Sequence, residues 1–370
     1  MPVSVQNEDE VVRLDREEIV RLVRAKLEAA GLPADQAAQV ADHLAYADSV
    51  GVHSHGTVRV EYYAERIGKG GTTLDPKITV KETGPCSLVI DGDNGTGFVV
   101  AGYGMDRAVE LAGEKGVAVV GMRRLGHCGT LSYYLRRAAE RGMLAISMCQ
   151  SDPMVVPFGG AEPFFGTNPL GFGCPVPGGG EPIVFDMATS VQAWGKILDA
   201  RARGRSIPDT WAVDASGLPT GDPFAVSGLS PVAGVKGYGL MMMVDIFAGT
   251  LLGAPFGPHV SSMYDRLDRG RDLGQLHIVL NPAFFGDPDL FLNQIGRMIG
   301  ELHGVKPAAG FGGVLVPGEN SREVREDYRK NGIPVVKEIY DYLVSDKLYL
   351  KSYQTGDPFA SGRSQKEEKQ

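Results

Sequence analysis

The order of helical and strand-like patterns along the 370 residues most restricts the possible folds. Apolar residues recur at helical spacing near the start, as in Ile19–Leu27. From about residue 75, short β-type runs such as Val117–Val120 and Leu144–Met148 alternate with helices. After Pro288 the pattern is helical again, with helices expected over Phe291–Leu302 and Pro334–Leu343. This order predicts an α/β (α+β) protein with a mixed sheet in its central part.

The helical character of both chain ends also predicts a domain organisation. Residues 13–72 and 286–350 are expected to form one helical domain, and residues 73–285 an α/β domain inserted into it. Residues 1–12 are acidic and residues 361–370 are polar, so both ends are expected to be disordered.

Charge and composition exclude several classes of partner. The net charge of −8 and the isoelectric point near 5.5 argue against nucleic acid and anionic membranes. The four cysteines form no CxxC pair, and the first residues lack the basic and apolar regions of a signal peptide. We therefore expect a cytoplasmic protein with reduced thiols.

The most apolar segment is Gly239–Phe256, which Asp245 interrupts and Pro255 closes. It is predicted to be a buried helix, too short and too interrupted to span a bilayer. No membrane partner is expected.

A histidine-rich stretch beginning at His53 offers a first candidate site. If a helix starts near Ser54 and runs to Ile67, then His55, Arg59 and Tyr63 project from one face. An imidazole, a guanidinium fork and a phenol suit a small organic acid. The alternative is a solvated helix face with His55 as an ordinary capping residue.

Known cofactor motifs are weak or missing. Gly95–Ala101 resembles the glycine pattern of a Rossmann turn, but Asp91–Asn94 separates it from the preceding strand and no acidic residue follows at the required distance. Turn chemistry explains that loop equally well. No metal-binding spacing occurs, so no metal is expected. Cys128, next to His127, could be a nucleophile, but no third orienting group is evident.

A second candidate is His127, in a glycine-rich turn between a predicted strand and the Leu131–Arg141 helix. Ligands of α/β proteins usually bind at the carboxyl ends of strands. The alternative is a histidine that is merely hydrogen-bonded within its turn. Loops containing Ser151, Asp186 and Lys236 are rich in small polar residues and could contact phosphate or amide groups. Each of these loops, taken alone, could equally be structural.

Taken together and in order, these segments resemble the malate/L-lactate dehydrogenase family, a nicotinamide-dependent group without the usual Rossmann fold. The resemblance covers about Asp15 to Ala360. Its motifs are His53–Arg59, Gly126-His127, Pro157–Gly160, Gly166–Pro169, Phe185–Ala188, Lys236–Gly239 and Pro317–Glu319. Ser147–Glu162, Ser206–Val213, Ser261–Asp265 and Gly274–Pro282 narrow the resemblance to one branch of the family.

The resemblance implies NAD-linked oxidation of a 2-hydroxy acid by a homodimer, with cofactor and substrate bound by residues 73–285. It implies that His127 is the proton acceptor and that Arg59, Tyr63 and His55 bind substrate. The implied cofactor-contacting residues are Ser151, Asp186, Met187, Ala188, Lys236, Gly318, Glu319 and Asn320.

Three alternatives remain open from the sequence. In the imine-reducing branch of the family, the residues matching Ser54, His55 and Asp186 form the acid and its relay, so His55 is the competing acid–base residue. The chain could act on a different 2-oxo acid or a cyclic imine. It could also be a binding protein without activity, although an inert scaffold would have no need of His127, Arg59 and Lys236 together.

Overall fold

A seven-stranded mixed sheet forms the centre of the computed structural model, which describes residues 11–349. Numbered in chain order, its strands lie side by side as β2 (Thr79–Gly84), β3 (Ser87–Gly95), β4 (Val117–Leu125), β10 (Leu273–Leu280), β5 (Leu144–Cys149), β6 (Leu170–Cys174) and β7 (Ile183–Met187). Two small pairs join β1 (Val11–Leu14) to β11 (Ile333–Val336) and β8 (Ala212–Val213) to β9 (Gly228–Leu229). The predicted α/β class with a mixed sheet is confirmed.

Strand directions determine which loops meet. β3 and β4 are parallel, and every other neighbouring pair in this sheet is antiparallel. β4 and β5 both run antiparallel to β10, and β7 again runs in their direction. The carboxyl ends of β4, β5 and β7 therefore lie at the same end of the sheet.

Helices cover both faces of the sheet. Within residues 11–349 the α-helices are α1 (Arg16–Ala29), α2 (Ala34–Ser49), α3 (Val60–Gly68), α4 (Gly97–Lys115), α5 (Leu131–Glu140), α6 (Trp194–Ala202), α7 (Val235–Ala248), α8 (Pro288–His303), α9 (Glu319–Asn331) and α10 (Lys337–Val344). On one face, α4 and α5 bury Met105 and Leu135 against strand residues such as Val120. On the other face, α7 buries Val244 against Leu276.

Residues from both ends of the chain share one apolar cluster. Ile19 of α1, Leu44 of α2 and Val60 of α3 pack in the same cluster as Ile333 of β11 and Tyr342 of α10. In contrast, α8 packs in a separate cluster with residues of β6 and β7. The expected helical and inserted domains stay a prediction.

The chain ends need one correction. Val11 and Val12 were expected to belong to a disordered end, but they pair with Val336 and Val335 in the β1–β11 ladder. Residues 1–10 and 361–370 lie outside the described residues.

Two expectations about helices are wrong, and one helix was missed. The Ser54–Ile67 helix is replaced by two 3₁₀ turns, His53–His55 and Thr57–Arg59, and α3 begins only at Val60. The helix expected to open at Pro334 begins at Lys337, because Ile333–Val336 pairs with β1 instead. The helix α9 was not predicted.

The apolar helix α7 is only partly buried, contrary to expectation. Leu240 is 39% exposed and Ile246 is 46% exposed. Within the described part of the chain, Val235–Leu252 is the segment long and apolar enough to cross a membrane by length and composition, with a mean hydropathy of 1.3 and 39% of the segment buried. Core helices of soluble proteins share this property, and Asp245 ties the helix to Gln150 by a 3.2 Å hydrogen bond.

Candidate active site

Three loops meet at the carboxyl ends of β4, β5 and β7. His127 follows β4, and Ser151 and Asp152 follow β5. Asp186 is the last residue but one of β7. The strand directions thus bring together residues that are separated by up to about 60 positions in sequence.

The loop that carries His127 is hydrogen-bonded to the buried side chain of His43. The backbone N–H of Thr130 donates to His43 Nε2 over 2.9 Å. Gly129 has φ +73°, and a Cβ there would lie 2.4 Å from His43 Nε2. Glycine is therefore required both by the left-handed backbone and by the close approach of His43.

The Rossmann-like glycines pack against the same loop. β3 continues through the segment expected to be a turn, and α4 begins at Gly97. A Cβ at Gly97 would lie 2.2 Å from the carbonyl oxygen of Gly126. Gly95 and Gly97 do not line the cavity described below.

The imidazole of His127 has partners on its Nδ1 side. The Tyr63 hydroxyl lies 2.7 Å from Nδ1, and the Gly129 N–H approaches the same atom at 3.2 Å. The His55 ring stacks on His127 with 5.7 Å between centroids. Tyr63 was expected to bind substrate, but its side chain is 8% exposed and its hydroxyl points at His127. Tyr63 thus lies on the Nδ1 side of His127 and is not part of the cavity lining.

The His53–Arg59 turns are shaped by a buried carboxylate. Asp48 accepts hydrogen bonds from the Thr57 N–H at 2.8 Å and contacts His53 Nδ1 at 2.9 Å. A Cβ at Gly56 would lie 2.0 Å from Asp48 Oδ1, so only glycine fits there. This arrangement interrupts the expected helix, yet it still brings His55 beside His127.

Arg59 and His55 are oriented by Ser54. The Arg59 Nε donates to the Ser54 carbonyl oxygen over 2.7 Å, and the Ser54 hydroxyl lies 3.0 Å from His55 Nδ1. Arg59 Nη1 also approaches the Tyr264 hydroxyl at 3.5 Å. His55, Arg59 and His127 all line one cavity.

This cavity has a volume of about 440 Å³ and extends along the outer edge of β7. Its lining contains five of the eight implied cofactor residues, namely Ser151, Asp186, Met187, Ala188 and Gly318. Lys236, Glu319 and Asn320 do not line it. The Glu319 carboxylate instead accepts from the Val316 N–H at 2.8 Å and contacts His303. We leave these three residues out of the proposed cofactor site.

Sequence reasoning missed an ion pair beside the cavity. Asp152 pairs with Arg271 at 3.3 Å, and the side chains are 9% and 1% exposed. The other carboxylate oxygen of Asp152 accepts from the Met263 N–H at 3.1 Å. The pair therefore anchors the segment that brings Met263 and Tyr264 to the cavity. Nothing in the local sequence around Arg271 signals this partnership, because the two residues are far apart in the chain.

Both cavity histidines are held in the neutral state. Burial, assisted by the Arg59 guanidinium, lowers the pKa of His55 to about 3. Burial, followed by the nearby His55 and Arg59, lowers the pKa of His127 well below its ordinary value. At neutral pH each ring can therefore accept a proton.

Asp186 occupies the amino end of α5. Its carboxylate accepts a hydrogen bond from the Ser132 N–H at 2.9 Å, and burial raises its pKa to about 6.

Cys128 is buried and lies 3.7 Å from Cys149, sulfur to sulfur. A buried thiol with that partner does not serve as a nucleophile.

Two neutral imidazoles and a guanidinium beside one cavity are groups that can hold an organic acid and accept a proton from it. This is chemistry that the oxidation of a hydroxy acid requires. The model of the malate/L-lactate dehydrogenase family matches residues 14–344. The chain belongs to this family.

Individual relatives agree with this assignment. The chain is 55% identical to ureidoglycolate dehydrogenase (NAD(+)) of Escherichia coli K12, over 94% of this chain and 100% of the relative. Malate dehydrogenase from Pyrococcus horikoshii OT3 superposes with a TM-score of 0.83 at 32% identity, covering 92% and 96% of the two chains. The Δ1-piperideine-2-carboxylate reductase from Pseudomonas syringae gives 0.81 at 30% identity, covering 90% and 98%.

Proposed function

We propose that the chain oxidises (S)-ureidoglycolate to oxalurate with NAD, a step of allantoin and purine catabolism. The observation that carries the proposal is the 55% identity over the full length of ureidoglycolate dehydrogenase (NAD(+)). The cavity makes it chemically coherent, because it places a neutral base beside a group that binds carboxylates. The chain is thus an NAD-dependent oxidoreductase acting on a CH–OH group.

The donor set of the cavity fits a dinucleotide. Ser151 Oγ lies 3.0 Å from Thr167 Oγ1, and both residues line the cavity with Gly318, whose φ is +99°. These hydroxyls, together with Met187 and Ala188 at the end of β7, would hold NAD. When bound, the nicotinamide supplies a hydride acceptor for the carbon that bears the substrate hydroxyl.

His127 is proposed as the base that takes the hydroxyl proton. The Gly129 N–H can donate only to a bare Nδ1, whereas the Tyr63 hydroxyl can either donate to a bare Nδ1 or accept from Nδ1–H. We propose the tautomer with the proton on Nδ1, donated to the Tyr63 oxygen over 2.7 Å, because only this tautomer leaves Nε2 unprotonated. Nε2 then remains as the proton acceptor, and Tyr63 is a positioning residue.

Arg59 is proposed to hold the substrate carboxylate and so orient the carbinol carbon. His55, neutral and stacked on His127, would donate or accept a hydrogen bond to the remaining oxygens or the ureido group. These assignments retain the sequence-based roles of both residues.

One contact favours hydroxy-acid oxidation over imine reduction. In the imine-reducing branch, the residues matching Ser54, His55 and Asp186 form the acid and its relay. Ser54 does contact His55. Asp186, however, bonds to the Ser132 N–H at the start of α5. A neutral His55 with its lowered pKa is also poorly suited to donate a proton.

The direct test is NADH formation, followed by near-ultraviolet absorbance, with purified protein, NAD and freshly made ureidoglycolate. Malate, lactate, a cyclic imine with NADH, and NADP are run in parallel. Selective turnover of ureidoglycolate with NAD is the expected result. Turnover of another acid alone would keep the family and reject the substrate, and inactivity on all of them would favour a binding protein.

Tyr63→Phe is expected to lower kcat about tenfold with little change in KM, because a neutral hydrogen bond to the base is lost. The acid limb of the pH–kcat/KM profile should move to lower pH, since the Tyr63 oxygen stabilises the protonated ring. A raised KM with an unchanged profile would instead return Tyr63 to substrate binding. Tyr62→Phe, one residue away and bonded to Arg66 and Arg271, controls for a general loss of packing.

We also propose a cytoplasmic homodimer. The outward face of α7 exposes Leu240, Ile246 and Phe247, and Leu251 beyond it is 65% exposed. An apolar face of this kind is typical of a subunit interface. Sedimentation equilibrium should therefore give the mass of two 39.5 kDa chains. The Ile246→Asp substitution should shift the measured mass toward that of a single chain. The free cysteines support a reducing compartment.

A further inference from the structure

Three charged side chains form a cluster at one end of the cavity. The Glu181 carboxylate is bonded to Arg136 of α5, through both Nη atoms, and to Arg325 of α9 at 2.5 Å. Their side chains are 22%, 21% and 27% exposed, and all three line the cavity. We call this set the Arg–Glu–Arg cluster. Burial would raise the pKa of Glu181, but the two arginines lower it, so the carboxylate is charged.

The cluster lies at the opposite end of β7 from Asp186. Glu181 precedes β7, whereas Asp186 is near the carboxyl end of that strand. Five residues of extended chain at about 3.3 Å each separate them by roughly 16 Å. Arg136 likewise lies one helical turn beyond Ser132, which bonds to Asp186. The cavity therefore continues from His127 past the start of α5 to the cluster.

The chemistry of the cluster discriminates between a hydroxyl and a phosphate. A carboxylate accepts hydrogen bonds from ribose hydroxyls and repels a phosphate placed on one of them. Two guanidinium groups without that carboxylate would instead form a phosphate site. The two arginines alone would favour a phosphate, whereas the Glu181 carboxylate favours a ribose hydroxyl. The presence of Glu181 therefore determines which of the two groups binds.

We infer that Glu181 binds the adenosine ribose of the dinucleotide and excludes a 2′-phosphate, so that this single carboxylate sets the preference for NAD over NADP. The inference rests on the proposed use of NAD and deepens it. Arg136 and Arg325 hold the carboxylate in place and are the groups that a 2′-phosphate would engage in its absence.

The test is calorimetric titration of the full chain with NAD and with NADP, without substrate. Glu181→Gln should weaken NAD binding and strengthen NADP binding, so that the ratio of the two Kd values shifts by about tenfold or more. The matched control is Glu140→Gln. Glu140 also pairs with Arg136, at 2.7 Å, but it does not line the cavity. It should leave the ratio unchanged.

A double variant identifies the phosphate-binding groups. Adding Arg325→Gln to Glu181→Gln should abolish the gain in NADP affinity. Equal losses for both nucleotides in Glu181→Gln, or an unchanged ratio, would overturn the inference and leave a structural ion cluster. If Glu181→Gln unfolds, as judged by its melting temperature, the unmodified chain is titrated with 2′-deoxy-NAD instead. This nucleotide lacks the hydroxyl that Glu181 would bind and should bind about tenfold more weakly than NAD, whereas equal Kd values would overturn the inference. Failure of the unmodified chain to bind NAD at all would reject the proposed function.

Discussion

Replacing His127 by alanine is expected to lower kcat for ureidoglycolate about a thousandfold while NADH still binds with unchanged Kd. Removal of a positioned general base typically costs two to four orders of magnitude. The cofactor residues line other parts of the cavity wall, so their contacts persist. Steady-state turnover measures the loss of kcat, and calorimetric titration measures the Kd for NADH.

The competing histidine provides the discriminating control. His55→Ala removes the ring stacked on His127 and should lower kcat less than His127→Ala does. An active His127→Ala variant with a dead His55→Ala variant would transfer the base role to His55. His303→Ala, at an exposed histidine paired with Glu319 outside the cavity, should behave as the unmodified chain does.

The pH dependence follows from the same groups. The base acts only when neutral, and burial with nearby cations lowers the pKa of His127. Protonation therefore begins at a lower pH than for an ordinary histidine. We expect kcat/KM to be retained well into mildly acid solution and to fall only as pH drops through that lowered pKa.

Strand order explains why much of the site could be predicted from the sequence. Polar loops after strands were recognisable by their glycines and hydroxyls, and parallel strand ends bring such loops together. His127 was a candidate on this ground, the resemblance singled out Ser151 and Asp186 within such loops, and the structure places all three around one cavity. The family resemblance added Gly318, which no local pattern distinguishes from an ordinary turn glycine.

Side-chain partnerships between distant segments could not be predicted in the same way. The helical interpretation of His55, Arg59 and Tyr63 fails because Asp48, earlier in the chain, captures the Thr57 N–H and forces a turn at Gly56. The side chains still meet, although for a different physical reason. Tyr63 reaches His127 from α3, and this contact is the basis for proposing that it positions the base.

The Arg–Glu–Arg cluster could not be predicted from the sequence for the same reason, because its members come from distant segments. Its members come from α5, the segment before β7, and α9, which was not predicted as a helix. Each residue alone resembles a solvated surface charge. Only the folded arrangement shows that they line the same cavity as His55 and His127.

Replacing Arg59 by methionine is expected to lower kcat/KM for ureidoglycolate by about 3 kcal/mol, on the order of a hundredfold. The loss should appear in both kcat and KM, because a carboxylate that is not held also leaves the carbinol carbon misoriented. Arg59→Lys is the matched control, since it keeps the charge but loses the two-point fork. It should recover part of KM and less of kcat.

A pH profile separates this role from a purely structural one. Arg59 is a cation that helps to lower the pKa of both His55 and His127. Its removal should therefore raise both values, and the acid limb of kcat/KM should move toward the ordinary histidine pKa. Arg59→Lys retains the charge and should keep the limb where it is. Near-normal kinetics and an unshifted pH profile in Arg59→Met would exclude this residue from the site. A lowered kcat/KM together with a shifted acid limb would support a carboxylate-binding cation next to the base.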